Sequence, residues 1–138
     1  MDLHAWITQQ VDRVEADAVD PPREPWLVAG VLRRCEADRR ILARHAVDPS
    51  ESDSLTFATA CHGCGTEGDC DDPVTENVND CPELLDLAHA HGITDDILAG
   101  LDRPQPPEPT PAQKRRLRER ARLTASAAAA LRGPHWKP

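Results

Sequence analysis

Apolar residues recur at intervals of three and four over residues 1–45, and the period is then lost. Leu3, Trp6, Ile7, Val11, Val14 and Ala18 share one helical face, which predicts a helix from Leu3 to Ala18 with Asp2 as its N-cap. Pro21-Pro22 should end it, since proline removes a donor and blocks the helix. A second helix is expected from Pro25 to His45. Its stripe is Val28, Val31, Leu32, Cys35 and Leu42, opposite a solvated face of Arg33, Arg34, Arg39, Arg40 and Arg44. Two amphipathic helices joined by a short proline turn should fold back as an antiparallel hairpin over residues 1–45.

Residues 46–60 are polar and aperiodic and read as a linker. The next segment, Cys61 to Cys81, is rich in Gly, Asp, Asn and Thr, so its order must come from something other than a hydrophobic face. Pro82 opens a short helix to His91 with Leu84, Leu85, Leu87 and Ala88 inward, and Gly92 breaks it. Thr94 caps a further helix ending near Leu101. Residues 103–110 form a proline-rich linker. Thr110-Pro111-Ala112-Gln113 is a capping box that starts a helix reaching Leu131, with Gly133-Pro134 as its stop. The fold class is therefore mainly α: a helical hairpin (1–45), an irregular metal-stabilised segment with a short helical pair (61–102), and a long basic helix and tail (111–138).

Composition makes such a fold short of core. Leu, Val, Ile and Phe together supply 26 of 138 residues, beside 13 prolines and a net charge of -8. A core this lean calls for a metal, a disulfide or a partner. No secretory signal opens the chain and no apolar run is long enough to span a membrane, so the expected setting is cytoplasmic. There, cysteines favour metal binding or free thiols over disulfides.

Five cysteines are present, and Cys61-His62-Gly63-Cys64-Gly65 is the strongest chemical signal. Two thiols separated by two residues can face one ion, and the glycines allow the tight turn. Cys70 and Cys81 complete a four-sulfur set within the same segment, and Cys81-Pro82 lies at a helix start, where the dipole favours a thiolate. The expected ligands to one zinc ion are Cys61, Cys64, Cys70 and Cys81, with His62, His89 or His91 able to replace Cys70. Reduced thiols in an acidic loop and a disulfide are the competing readings.

Two resemblances follow from these motifs. Cys61-x2-Cys64-x5-Cys70, with Cys35 upstream, is similar to the ligand order of WhiB-like iron–sulfur regulators, which implies a redox-sensing cluster. A turn of the Gly-Val-Trp-Gly-Gly type is missing. The stretches Val31–Leu42, Cys61-x2-Cys64-Gly65, Asp72–Leu84 and the ending Trp136-Lys137-Pro138 resemble a family of uncharacterised actinobacterial and actinophage proteins. That likeness covers residues 1–45, 61–90 and the last few. It implies a bacterial or phage origin and a cytoplasmic setting, and nothing about mechanism.

Charge narrows the partners. Residues 61–110 carry 12 acids against Arg103, whereas residues 111–138 carry 8 bases against Glu119. Leu87 to Leu101 resembles a helix-turn-helix, yet its second helix offers Asp95 and Asp96 where phosphate contacts need bases. The better nucleic-acid candidate is the C-terminal helix, with Lys114, Arg115, Arg116, Arg118, Arg120 and Arg122. A protein partner, self-association or the chain's own acidic segment are its other expected contacts. No phosphate loop, nucleophile elbow or His-Glu-x-x-His pattern occurs, and four protein ligands would leave no open position for water. The chain reads as a non-enzymatic metal-binding accessory or interaction protein. A nucleic-acid-binding regulator and an iron–sulfur regulator are the alternatives.

Overall fold

A computed structural model describes residues 1–20 and 24–131, with side chains described as far as Ala127. Pro21-Pro22, Gly133-Pro134 and Trp136-Lys137-Pro138 lie outside the described residues. The fold is mainly α. Its helices are α1 (Leu3–Val19), α2 (Pro25–Arg44), α3 (Pro82–Ala90), α4 (Asp95–Ala99) and α5 (Pro111–Leu131). Strands β1 (Thr66–Glu67) and β2 (Asp72–Pro73) pair antiparallel, and single 3-10 turns occupy Pro49–Glu51, His62–Cys64 and Val78–Asp80. The chain divides into two compact units, Met1–Pro107 and Glu108–Pro138.

In the first unit α1 begins where Asp2 accepts a bond from the Ala5 backbone N–H at 2.8 Å, the expected cap. Leu3, Ile7, Val11 and Ala18 are buried on its inner face. Helix α2 runs back along it: His4 Nε2 lies 3.1 Å from the Leu42 carbonyl, and the Cys35 thiol donates to the Val11 carbonyl. Arg39 clasps Asp12 and Glu15 across the same seam. The predicted stripe of α2 holds only in its second half. Cys35, Asp38 and Leu42 are buried, whereas Trp26 and Leu27 are exposed and Val28, Val31 and Leu32 half-buried.

Helix α3 closes the core by laying Leu84, Leu87 and Ala88 against Leu3, Ile7, Val11 and Leu42. Its end is tied to α2 by His91 Nε2, 3.0 Å from Asp38 Oδ2, with both side chains under a tenth exposed. Gly92 takes φ +82°, which a side chain would resist, and Thr94 caps α4 through the Ile97 N–H. Helix α4 is shorter than the expected run to Leu101.

Residues 46–60 are not a linker. Asp48 caps the turn at Pro49–Glu51, Thr59 and Ala60 are buried, and the Thr59 hydroxyl donates to the Glu76 carbonyl at 2.8 Å. The sequence pattern missed this because side chain-to-backbone bonds, not an apolar face, hold the segment. The same device anchors the start of the proline-rich stretch. Asn79 accepts from the Leu3 N–H and donates to the Asp102 carbonyl, Asn77 donates to the Pro104 carbonyl, and Arg103 pairs with Asp80. Among the described residues no buried side-chain polar atom lacks a partner.

In the second unit, Thr110 and Gln113 exchange the two bonds of the predicted capping box, at 2.8 and 3.3 Å. Lys114 pairs with Glu108. No described helix is long and apolar enough to cross a membrane.

These anchors place the safe point for truncation. A chain ended after Pro107 should keep the thermal melt of the first unit. One ended after Leu101 strips the acceptors of Asn77 and Asn79, at about 1–3 kcal/mol for each buried group left unsatisfied. Paired melts of the two truncations check this; equal melts would show the anchors to be immaterial.

Candidate metal centre

Four donors meet beside the core: His45, Cys61, Cys64 and Cys81, all with ligand atoms within 4.8 Å of one another. Each is delivered by a local feature. His45 is the residue at which α2 stops, its N–H still bonded to the Ile41 carbonyl. Cys61 and Cys64 bracket the 3-10 turn His62–Cys64, and Cys81 stands at the N-cap of α3 with Pro82 behind it.

Glycine joins the first two features. A Cβ on Gly63 would lie 2.4 Å from the Arg44 carbonyl oxygen and 2.8 Å from His45 Nδ1, so only glycine lets the turn press on the end of α2. The His62 N–H donates to the Ala46 carbonyl and completes the join. Gly65, at φ +75°, then redirects the chain into β1.

The spacing of the donors suits a single tetrahedral ion. His45 Nδ1 lies 3.5 Å from Cys61 Sγ, 4.0 Å from Cys64 Sγ and 3.4 Å from Cys81 Sγ, and Cys64 and Cys81 are 3.6 Å apart. Metal–sulfur bonds near 2.3 Å and metal–nitrogen bonds near 2.0 Å give tetrahedral edges of about 3.8 Å (S–S) and about 3.6 Å (S–N). Cys61 and Cys81 are buried, and Cys64 is partly open. Glu83 stands on that open side, its Oε2 3.5 Å from Cys81 Sγ and 3.9 Å from His45 Nδ1. Its own backbone N–H in the first turn of α3 is the main cause holding its carboxyl below the usual range.

The expected set is thus changed at one position. Cys61, Cys64 and Cys81 come together, but the fourth place is taken by His45 and not by Cys70. Cys70 is exposed, in the turn between β1 and β2, where Gly68 and Asp71 both adopt positive φ and turn the chain outward. None of the named substitutes enters the cluster. His62 points to Asp48 at 3.9 Å, His89 is exposed, and His91 is committed to Asp38. Cys35 lies in the α1–α2 seam, so the set Cys35, Cys61, Cys64 and Cys70 is not assembled among the described residues. A histidine ending a periodic segment shortly before a Cys-x2-Cys turn was the one signal for His45, and it names no partner.

The basic residues Lys114, Arg115, Arg116, Arg118, Arg120 and Arg122 all lie on α5, in the second unit. Of these six, Lys114 alone has a carboxylate within ion-pair distance among the described residues.

Two outcomes follow from the join. Gly63→Ala should cost about 1–3 kcal/mol through forced displacement of backbone and weaken metal affinity, read by thermal melts and metal titration. Burial pushes the Cys61 and Cys81 thiols above their ordinary value of 9.0. Groups raised in the folded state stabilise below the unfolded pKa and cease to as pH rises. Chelated protein should therefore lose stability above about pH 9, whereas metal-loaded protein should lose it toward acid, where protons compete for the ligands. Melts of both forms across pH check the opposite slopes.

No protein-family model, curated protein or solved structure matches the chain.

Proposed function

We propose that His45, Cys61, Cys64 and Cys81 hold one structural zinc ion, and that the protein is a non-enzymatic accessory or interaction protein of the bacterial cytoplasm. The observation that carries this is the near-tetrahedral spacing of three sulfurs and one imidazole nitrogen, 3.4–4.0 Å for the pairs with His45. Sulfur and imidazole together suit zinc, while magnesium and calcium take oxygen. A four-iron cluster needs its thiolates on four different irons, whereas these donors crowd toward one point.

Four protein ligands leave no position for a reacting water, which supports a structural role over a catalytic one. The ion would lock the end of α2, the Cys61–Cys64 turn and the start of α3 together, and binding energy of this kind is folding energy. The Arg-rich run of α5, with its arginines free of described carboxylate partners, supports a second reading in which that helix contacts nucleic acid.

Protein purified without added metal should contain one zinc per chain by elemental analysis. His45→Ala and Cys81→Ser should lose it and melt earlier, while Cys70→Ser, His62→Ala and His89→Ala should retain it. A chain that holds no zinc, or that loses it with Cys70→Ser and keeps it with His45→Ala, would sink the assignment.

A further inference from the structure

The half of α2 that fails to pack leaves an open cleft. Trp26 is 73% exposed, Leu27 41% and Val14 40%, and with Gly30 and Val31 they line a cleft of about 430 Å³. Tryptophan is seldom left so open, and tryptophan beside arginine is the usual composition of an energetic centre in a protein interface.

The charge around the cleft says what it would accept. Arg39 is neutralised by Asp12 and Glu15, and Arg40 by Glu36. Arg33 and Arg34, which edge the cleft, have no carboxylate within ion-pair distance among the described residues. The one acid in the lining, Asp38, is buried and turned to His91 Nε2 at 3.0 Å, and it pairs with neither arginine among the described residues. An apolar floor with an uncompensated positive rim thus sits on a chain of net charge -8. Helix α5 carries the wrong sign to fill it. Two copies meeting cleft to cleft would set Arg33 and Arg34 against their twins.

We infer that this cleft binds an amphipathic helix of another protein, one with apolar side chains at helical spacing flanked by Asp or Glu. The apolar side chains lie against Trp26, Leu27 and Val14, and the carboxylates pair with Arg33 and Arg34. This is the helix-in-groove mode, with the rim charges setting preference and encounter rate. The site is small beside a standard interface, so a weak complex is expected, with a Kd on the order of micromolar. Nothing in it depends on the metal centre.

Two labelled peptides test it against the full chain by fluorescence anisotropy: leucines at i, i+3, i+4 and i+7 with glutamates between them, and the same peptide with lysines for glutamates. The wild type should bind the glutamate peptide about 10-fold tighter than its lysine twin. Trp26→Ala should weaken that binding about 10-fold, roughly 1.4 kcal/mol. The double variant Arg33→Glu/Arg34→Glu should reverse the preference. These side chains are exposed, so both variants should melt with the wild type; should Trp26→Ala melt earlier, the charge reversal alone decides. Equal affinity for the two peptides, binding of neither at about 1 mM, or sedimentation showing a dimer that Trp26→Ala dissolves would each overturn the inference.

Discussion

Three segments separated in the chain meet where His45, Cys61, Cys64 and Cys81 bring their donor atoms within 4.8 Å, and the join of the end of α2, the Cys61–Cys64 turn and the start of α3 runs through that meeting. Cys61 and Cys81 belong at once to this cluster and to the apolar core with Leu3, Ile7 and Leu84. Burying thiols there without an ion keeps them protonated, because desolvation penalises the thiolate. An ion reverses the balance by stabilising the thiolates outright. The same atoms would then be core without an ion and ligands with one.

Around that node, polar side chains take over work that apolar residues do in larger proteins. Asn77, Asn79 and Thr59 bond to backbone groups of neighbouring loops, and Asp38 meets His91 in the interior. Removing one member of such a pair leaves the other buried without its partner, so these contacts specify one arrangement more than they add net stability. A chain with so few large apolar residues gains its unique fold from these satisfied bonds and from the cluster.

The remaining surface is divided by charge. The cleft under Trp26 is edged by arginines that no described carboxylate pairs with, while Arg39 and Arg40, on the same helix, are spent internally. Helix α5 carries its own basic run in a separate unit. Among the described residues, two of the basic groups on this net acidic chain thus differ in setting, the first beside an apolar cleft and the second along an Arg-rich helix. The proposed amphipathic partner would draw on dehydration of apolar surface as well as charge attraction, whereas the nucleic-acid reading of α5 rests on charge.

How much of this was legible beforehand differs by element. The helices α1, α2, α3 and α5, the Asp2 and Thr94 caps, the capping box at Thr110 and the glycine turn at Gly92 were all readable, because period and capping chemistry are local. Three of the four clustered donors, Cys61, Cys64 and Cys81, were readable from cysteine spacing for the same reason. The fourth was not. Cys70 is close in sequence, but the β1–β2 turn carries it out to solvent, whereas His45 arrives because Gly63 lets the His62–Cys64 turn press on the end of α2. The folding of residues 46–60 and the exposure of Trp26 were hidden likewise, since the first rests on bonds such as Thr59 to the distant Glu76 and the second on which half of α2 the core covers. Local rules reach a few residues along the chain; contacts between distant segments are decided only when those segments compete for one small core.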